Sequence, residues 1–336
     1  VAVWIVPDFE TASLCDLKAC GADRYAEDPS TEVLWLSWER EDGGRGRWHP
    51  GLGMECPAEI RAAILRGDLF VAHNARFERA IWREIMVKQY GWPAIPVELW
   101  HDTLARCAEL VLPLDLEKVA KVLALPVQKD LEGKRITLGL SRPDKHGNLP
   151  PRTPAIIQRV GLYCDSDIGT QAALHRRVGW LDDAERQVWL MDQRVNDRGV
   201  RLDMPLVGNM RRIVDGATGP LAREFRQITG GLEFTQVGKV GEWVRARGVD
   251  LPNLQKETIA DALGRDPDAA EDSNADEGGT GASSLILPED VRRALTIRQL
   301  VGSASIKKLG AMEACVCADG RAHGLLQYHA AGPGRW

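Results

Sequence analysis

The sequence predicts an α/β domain built on a mixed sheet, followed by a mainly helical segment. Two observations carry that prediction. Over the first 180 of 336 residues, short β-favouring runs alternate with amphipathic stretches. From residue 181 onward the apolar period is helical almost throughout. A boundary near 179–183 follows, with residues 1–180 as one domain and 181–336 as another.

Strands fit residues 2–6, 33–38 and 69–72, with a fourth near 97–101. Helices fit "PAEIRAAIL" (57–65), "ARFERAIWREIMVKQY" (75–90), residues 115–124 and a long stretch over 153–178. In the second part, "DDAERQVWLMDQRVNDRG" carries apolar residues at 188, 190, 191 and 195, a helical stripe closed by Gly199 as C-cap. Further helices are expected over 205–227, 236–247, 255–263, 288–300 and 304–316. Only "RAHGLLQYHAAGPGRW" (321–336) reads as strand again. No internal repeat is visible.

Composition bounds the function classes. No run of about 18 apolar residues and no signal peptide is present, so a membrane role is not expected, and a cytoplasmic location is. The seven cysteines are odd in number and show no C-x-x-C pair, which points to reduced thiols and away from zinc. Net charge is −5, but "RDPDAAEDSNADEGGTGASS" (265–284) holds six acids and one Arg, which is −5 by itself. The remainder is formally neutral and can carry a basic groove. That acidic stretch is poor in apolar residues and reads as a disordered insertion.

Three constellations carry chemistry. In "VAVWIVPDFETASL" a β-favouring run leads into Asp8 and Glu10, which share one face of an extended chain. Two adjacent carboxylates repel unless something positive lies between them. In "VAHNARFERAIW", Asn74 and Glu78 are four apart at a helix start; in "VGLYCDSDIGTQAALH", Tyr163 and Asp167 are four apart within a helix. Asp165 falls on another helical face and is the weaker candidate. Singly, each has a bland reading: a strand end in solvent, an N-capping Asn with a surface Glu, a half-buried Tyr with a solvated Asp.

Taken together and in this order, they resemble the three motifs of the DEDD family of 3′–5′ exonucleases, in the subgroup with Tyr in the third motif. The resemblance is strongest to the proofreading domain of family A, polymerase-I-type DNA polymerases of phage kind. It continues past residue 180. "ERQVWLMDQRVNDRGVRLD" resembles the helix leading into the polymerase region, and "SASIKKLGAM" with "RAHGLLQYHAAGPGRW" resembles the thumb and the start of the palm. The resemblance implies a ribonuclease-H-like exonuclease domain ahead of an incomplete polymerase domain. The polymerase catalytic residues are expected beyond this chain, which is then a fragment or one product of a split gene. The competing readings are a free-standing 3′–5′ exonuclease and a catalytically silent DNA-binding platform.

The implied chemistry explains the doublet. Two Mg²⁺ or Mn²⁺ ions about 3.5–4 Å apart can activate water, neutralise phosphate and stabilise the leaving oxygen. Such hard ions take oxygen ligands. By resemblance Asp8 bridges both ions, Glu10 and Asp167 complete the tighter site, and Tyr163 orients the attacking water. Asn74 helps hold the terminal nucleotide, Thr11 and Leu14 meet its base, and Phe77 lines its pocket. The second motif usually carries Asp; Glu78 departs from it by one methylene, and retained but weakened activity is expected. The partners implied are a single-stranded DNA 3′ end and a primer–template duplex, with Lys307, Lys308 and Arg335 on the duplex. Lys129 and Lys134 read as a solvated loop, and Cys315 and Cys317 as packing residues.

Overall fold

The computed structural model describes residues 3–125, 130–264, 286–302 and 304–331. The acidic stretch at 265–284, Lys129 and Arg335 lie outside the described residues.

Five strands form one mixed sheet: β1 (Trp4–Ala12), β2 (Glu32–Arg40), β3 (Arg45–Trp48), β4 (Leu69–Ala72) and β5 (Trp100–Asp102), in the order β3-β2-β1-β4-β5. Strand β2 runs antiparallel to both its neighbours, whereas β1, β4 and β5 are mutually parallel. The mixed sheet agrees with the sequence expectation, but β1 is longer than the five residues assigned to it. It continues through Pro7 to Ala12, so Asp8 and Glu10 lie inside a strand, opposite Ser37 and Trp35 of β2. A proline inside a central strand removes a ladder donor. It is tolerated here because β4 pairs with β1 only at Trp4 and Ile5, and the two parallel strands then separate. Strand β3 is not evident in the sequence pattern because it is short, and a tight turn with Gly43 at φ 84° joins it to β2.

The helices of this part are α1 (Leu17–Glu27), α2 (Ala58–Arg66), α3 (Ala75–Ile81), α4 (Thr103–Glu109), α5 (Leu116–Val122), α6 (Leu131–Leu140), α7 (Pro154–Val178) and α8 (Asp183–Arg198). Three of these, α1, α4 and α6, are not expected from the sequence pattern. Helix α1 is broken at Gly21 (φ 76°), and α6 contains Gly133 and Gly139, poor helix formers that mask its period. An Asp caps each of them: Asp16, Asp102 and Asp130 accept from backbone N–H groups of the first turn. Residues 75–90 do not make one α-helix; α3 gives way to a π-helical stretch, Trp82–Val87.

The alternation of β1 decides what lies on each face. Ile5 and Phe9 enter the large aromatic core with Phe70, Trp82 and Trp100, while Trp4 and Val6 pack with Val71 and Ala172 of α7. Helix α7 starts at a Thr153 N-cap followed by Pro154. It comes unusually close to the sheet at Gly161, where an added Cβ would lie 2.4 Å from the Trp35 ring. That approach lays the Tyr163–Asp167 face over β1.

The chain divides into two compact units. The first runs to Leu202 and takes back the chain from Ala314; the second is Asp203–Glu313. The boundary expected near 180 falls between α7 and α8, and α8 stays with the first unit because Trp189, 1 % exposed, is buried in its aromatic core. A small sheet of β6 (Val200–Arg201) and β7 (Arg321–Ala322) belongs to the same unit. The second unit contains α9 (Met204–Thr229), α10 (Val237–Arg245), α11 (Lys256–Leu263), α12 (Glu289–Val301) and most of α13 (Ala304–Cys315). Phe225, Val240, Ile259, Val291 and Leu295 form its core. Among the described residues, no helix is long and apolar enough to cross a membrane.

Candidate active site

Beyond the point where β1 and β4 part, acids from three elements meet. Asp8 and Glu10 project from the same face of β1, Glu78 comes from α3 and Asp167 from α7. Their mutual influence shows the convergence. Burial and then Asp167 raise the pKa of Asp8 from 3.8 to about 7. Burial, Asp8, Asp167 and Glu78 hold Glu10 well above its usual value. Burial and Asp8 do the same to Glu78. Burial also raises Asp167, against a hydrogen bond donated by the Tyr163 hydroxyl and the positive charge of Lys134.

The contacts of Asp8 are specific. Its Oδ1 accepts from Gln171 Nε2 at 2.8 Å, and the buried Cys164 Sγ lies 3.4 Å from Oδ2 and 3.3 Å from the Asp8 carbonyl. Ligand atoms of Asp8, Glu10 and Cys164 lie within 4.8 Å of one another. Glu78 is 5 % exposed, and its Oε2 has no hydrogen-bond partner. A buried carboxylate oxygen left unpaired is expensive. A pair of β1 carboxylates repelled by acids from α3 and α7, with one orphaned oxygen, fits hard divalent cations, which prefer oxygen donors. Burial and Asp8 push the Cys164 thiol well above its usual pKa, which leaves the carboxylates as the groups that could hold such ions.

Beside the cluster opens a cavity of about 500 Å³. Its lining includes Glu10, Thr11, Leu14, Phe77 and Tyr163, five of the residues singled out from sequence. The Thr11 hydroxyl is engaged by Tyr25 at 2.9 Å, Leu14 is 49 % exposed, and the Phe77 ring stands 6.1 Å from that of Tyr25. Lys18, Lys134 and Arg142 bring positive charge to the walls. Lys134 therefore sits on α6 and faces a cavity; the loop expected around it is absent, because the Asp130 cap starts a helix there.

Asn74 departs from the geometry expected of it. It precedes α3 in the left-handed region (φ 71°, ψ 54°), is exposed, and its side chain makes no capping bond. The relation of i to i+4 on a helix face thus does not apply to Asn74 and Glu78. The cap comes from β5 instead: Asp102 Oδ1 accepts from Asn74 N (2.9 Å) and Leu104 N (2.8 Å), and Oδ2 from Ala75 N (3.2 Å). One half-buried carboxylate thereby caps α3 and α4 together. Asp165 faces elsewhere, accepting from Ser37 Oγ at 2.7 Å and pairing with Arg47 at 2.5 Å. Lys307 and Lys308 are exposed on α13 in the second unit.

Gln171, Asp102 and the α6 wall are not identified by sequence reasoning. For Gln171 a signal exists, since 163, 167 and 171 continue one helical stripe. For Asp102 there is none, because its partners on α3 lie 27 and 28 residues away.

No family model matches the chain. It is 30 % identical over 341 residues to a DNA polymerase of Bacillus phage SP02, covering 98 % of this chain and 49 % of that protein. The chain thus spans about half the length of this relative. Among solved structures it resembles the POL domain of Pol1 from M. smegmatis, solved in complex with DNA primer-template and dNTP. That likeness has a TM-score of 0.50 at 11 % identity and covers 99 % of this chain and 50 % of the other. A family B DNA polymerase from Pyrobaculum calidifontis matches at a TM-score of 0.37 and 15 % identity over 60 % of this chain and 31 % of the other, too weakly to inform the fold. Over almost its entire length, then, this chain is a homologue of part of a phage DNA polymerase.

Proposed function

We propose that the chain is part of a family A DNA polymerase, and that its first unit is a 3′–5′ exonuclease that removes terminal nucleotides from DNA. The observation that carries this reading is the meeting of Asp8, Glu10, Glu78 and Asp167 beside a cavity lined by Thr11, Leu14, Phe77 and Tyr163. The sheet supports it: order β3-β2-β1-β4-β5 with β2 alone reversed is what a ribonuclease-H-like domain requires. The site also lies along the C-terminal half of β1 and past the carboxyl end of β4, beside the point where the strand order reverses direction and α/β sheets bind ligands.

The carboxylates would hold divalent ions, Mg²⁺ or Mn²⁺, which supply positive charge against the phosphate and its leaving oxygen. The chain's own groups perform the rest. Leu14 and Phe77 offer apolar surface to the terminal base, and Thr11 is held in place by Tyr25. Lys134 and Arg142 offer charge to the phosphates. Tyr163, whose hydroxyl is bonded to Asp167, is placed to orient the attacking water. Water adds to the phosphorus, the P–O3′ bond breaks, and the products are a nucleoside 5′-monophosphate and a shortened strand with a free 3′-hydroxyl. Glu78 is buried against the other acids rather than turned to solvent, which favours a working site over a silent platform.

The test is degradation of a 5′-labelled single-stranded oligonucleotide with Mg²⁺ or Mn²⁺, beside an Asp8→Ala chain and an EDTA control. Stepwise loss from the 3′ end in the parent alone is expected. Full activity in EDTA, cleavage from the 5′ end, or an active Asp8→Ala chain refutes the assignment.

A further inference from the structure

We infer that Gln171 is a positioning residue: it fixes the orientation of Asp8 and locks the Asn74–Glu78 segment to it, which rests on reading the four acids as a divalent-ion site. Gln171 is 4 % exposed and sits one helical turn past Asp167 and two past Tyr163. Its Nε2 donates to Asp8 Oδ1 at 2.8 Å, and its Oε1 accepts from the backbone N–H of His73 at 2.9 Å. His73 opens the turn between β4 and α3. The next two N–H groups of that turn, those of Asn74 and Ala75, are taken by Asp102. Three successive backbone donors are therefore held by side chains from α7 and β5, and α3 leaves the turn with Glu78 aimed at the acids.

One amide thus ties together the strand with Asp8 and Glu10, the turn leading to Glu78, and the helix with Tyr163 and Asp167. A primary amide offers a donor and an acceptor on one small, uncharged planar group at any pH. A carboxylate could still accept from His73 but would face Asp8 with like charge. An aliphatic side chain would leave the His73 donor and one Asp8 oxygen unpaired. Holding one Asp8 oxygen also fixes the carboxylate plane and hence the direction of the other oxygen. Hydrogen-bond partners of metal-binding carboxylates typically matter by about 10–100-fold in metal affinity or activity.

The experiment compares parent, Gln171→Leu and Gln171→Glu. Mn²⁺ binding is followed by the electron paramagnetic resonance of free ion. Single-turnover cleavage is measured at saturating Mn²⁺, and binding of a single-stranded oligonucleotide is measured in EDTA. Gln171→Leu should bind Mn²⁺ about tenfold more weakly or worse and cleave at least about tenfold slower, with oligonucleotide binding unchanged within about twofold. Gln171→Glu, which keeps the bond from His73, should cleave about as slowly as Gln171→Leu, and it decides the matter if Gln171→Leu does not fold. Parent-like Mn²⁺ affinity and rate in Gln171→Leu, or parent-like cleavage in Gln171→Glu, overturns the inference. A parent that binds Mn²⁺ without cleaving would end the nuclease reading, while the affinity comparison would still decide the role of Gln171. A parent that binds no Mn²⁺ ends both.

Discussion

Replacing Asp8 by asparagine should make the metal-free protein more stable at neutral pH while destroying its function. In the open chain Asp8 ionises near 3.8; in the fold it does so at about 7, chiefly through burial and then through Asp167. The folded-state pKa is raised, so between these values the folded chain keeps a proton that the unfolded chain has lost. The associated stability is complete below 3.8, declines as the pH climbs, and is gone above about 7. A shift of this size corresponds to about 4 kcal/mol. Asp8 keeps partial access to solvent, which screens the penalty, and about 2–3 kcal/mol is expected. The asparagine of the Asp8→Asn chain has no charge to bury, and its carbonyl oxygen can still accept from Gln171. The variant should exceed the parent by that amount near pH 8 in EDTA and match it near pH 4. Saturating Mn²⁺ should reverse the order, because binding to the folded state stabilises it by mass action. Urea unfolding read by tryptophan fluorescence suits the measurement, since nine of the eleven tryptophans lie between residues 4 and 189, within the first unit. Comparing the two chains at each pH cancels His101 and His175, which burial pushes down to about 3 and about 4 and which act in the opposite sense. A metal-free variant less stable than the parent near pH 8, or a parent whose midpoint ignores Mn²⁺, refutes the reasoning.

Glu78→Asp keeps the charge and should stay within about tenfold of the parent rate, roughly 1.4 kcal/mol in barrier. Glu78→Ala should be far slower and partly rescued by excess Mg²⁺; parent-like rates across a Mg²⁺ titration would reduce Glu78 to a bystander. Tyr163→Phe should slow turnover about 10²–10⁴-fold while leaving Mn²⁺ affinity nearly unchanged, and single-turnover rates beside a metal titration separate the two. Asp102→Ala removes the shared cap of α3 and α4 and should destabilise the first unit by about 2–3 kcal/mol in urea. A loss below about 0.5 kcal/mol would mean that solvent caps both helices equally well.

Local periodicity determined a good deal. The two-residue period of an extended chain put Asp8 and Glu10 on one face, and the helical period did so for Tyr163 and Asp167. Both pairings depend only on backbone geometry within a few residues, so they are legible without a fold. The alternation of strands and helices likewise leads to a mixed sheet. Tertiary structure decided the rest. Pro7 argues for ending β1 early, and only the parting of β4 from β1 explains why the strand continues through it. Asn74 has the residue type of an N-cap, yet Asp102 supplies the cap from another strand. Trp189 reads as part of a second domain, and only its burial against the aromatic core places α8 in the first unit. Gln171 continues a readable stripe, but that it grips both Asp8 and His73 depends on how α7 settles over the sheet at Gly161. Period encodes which side a residue faces; what waits on that side is set by long-range packing.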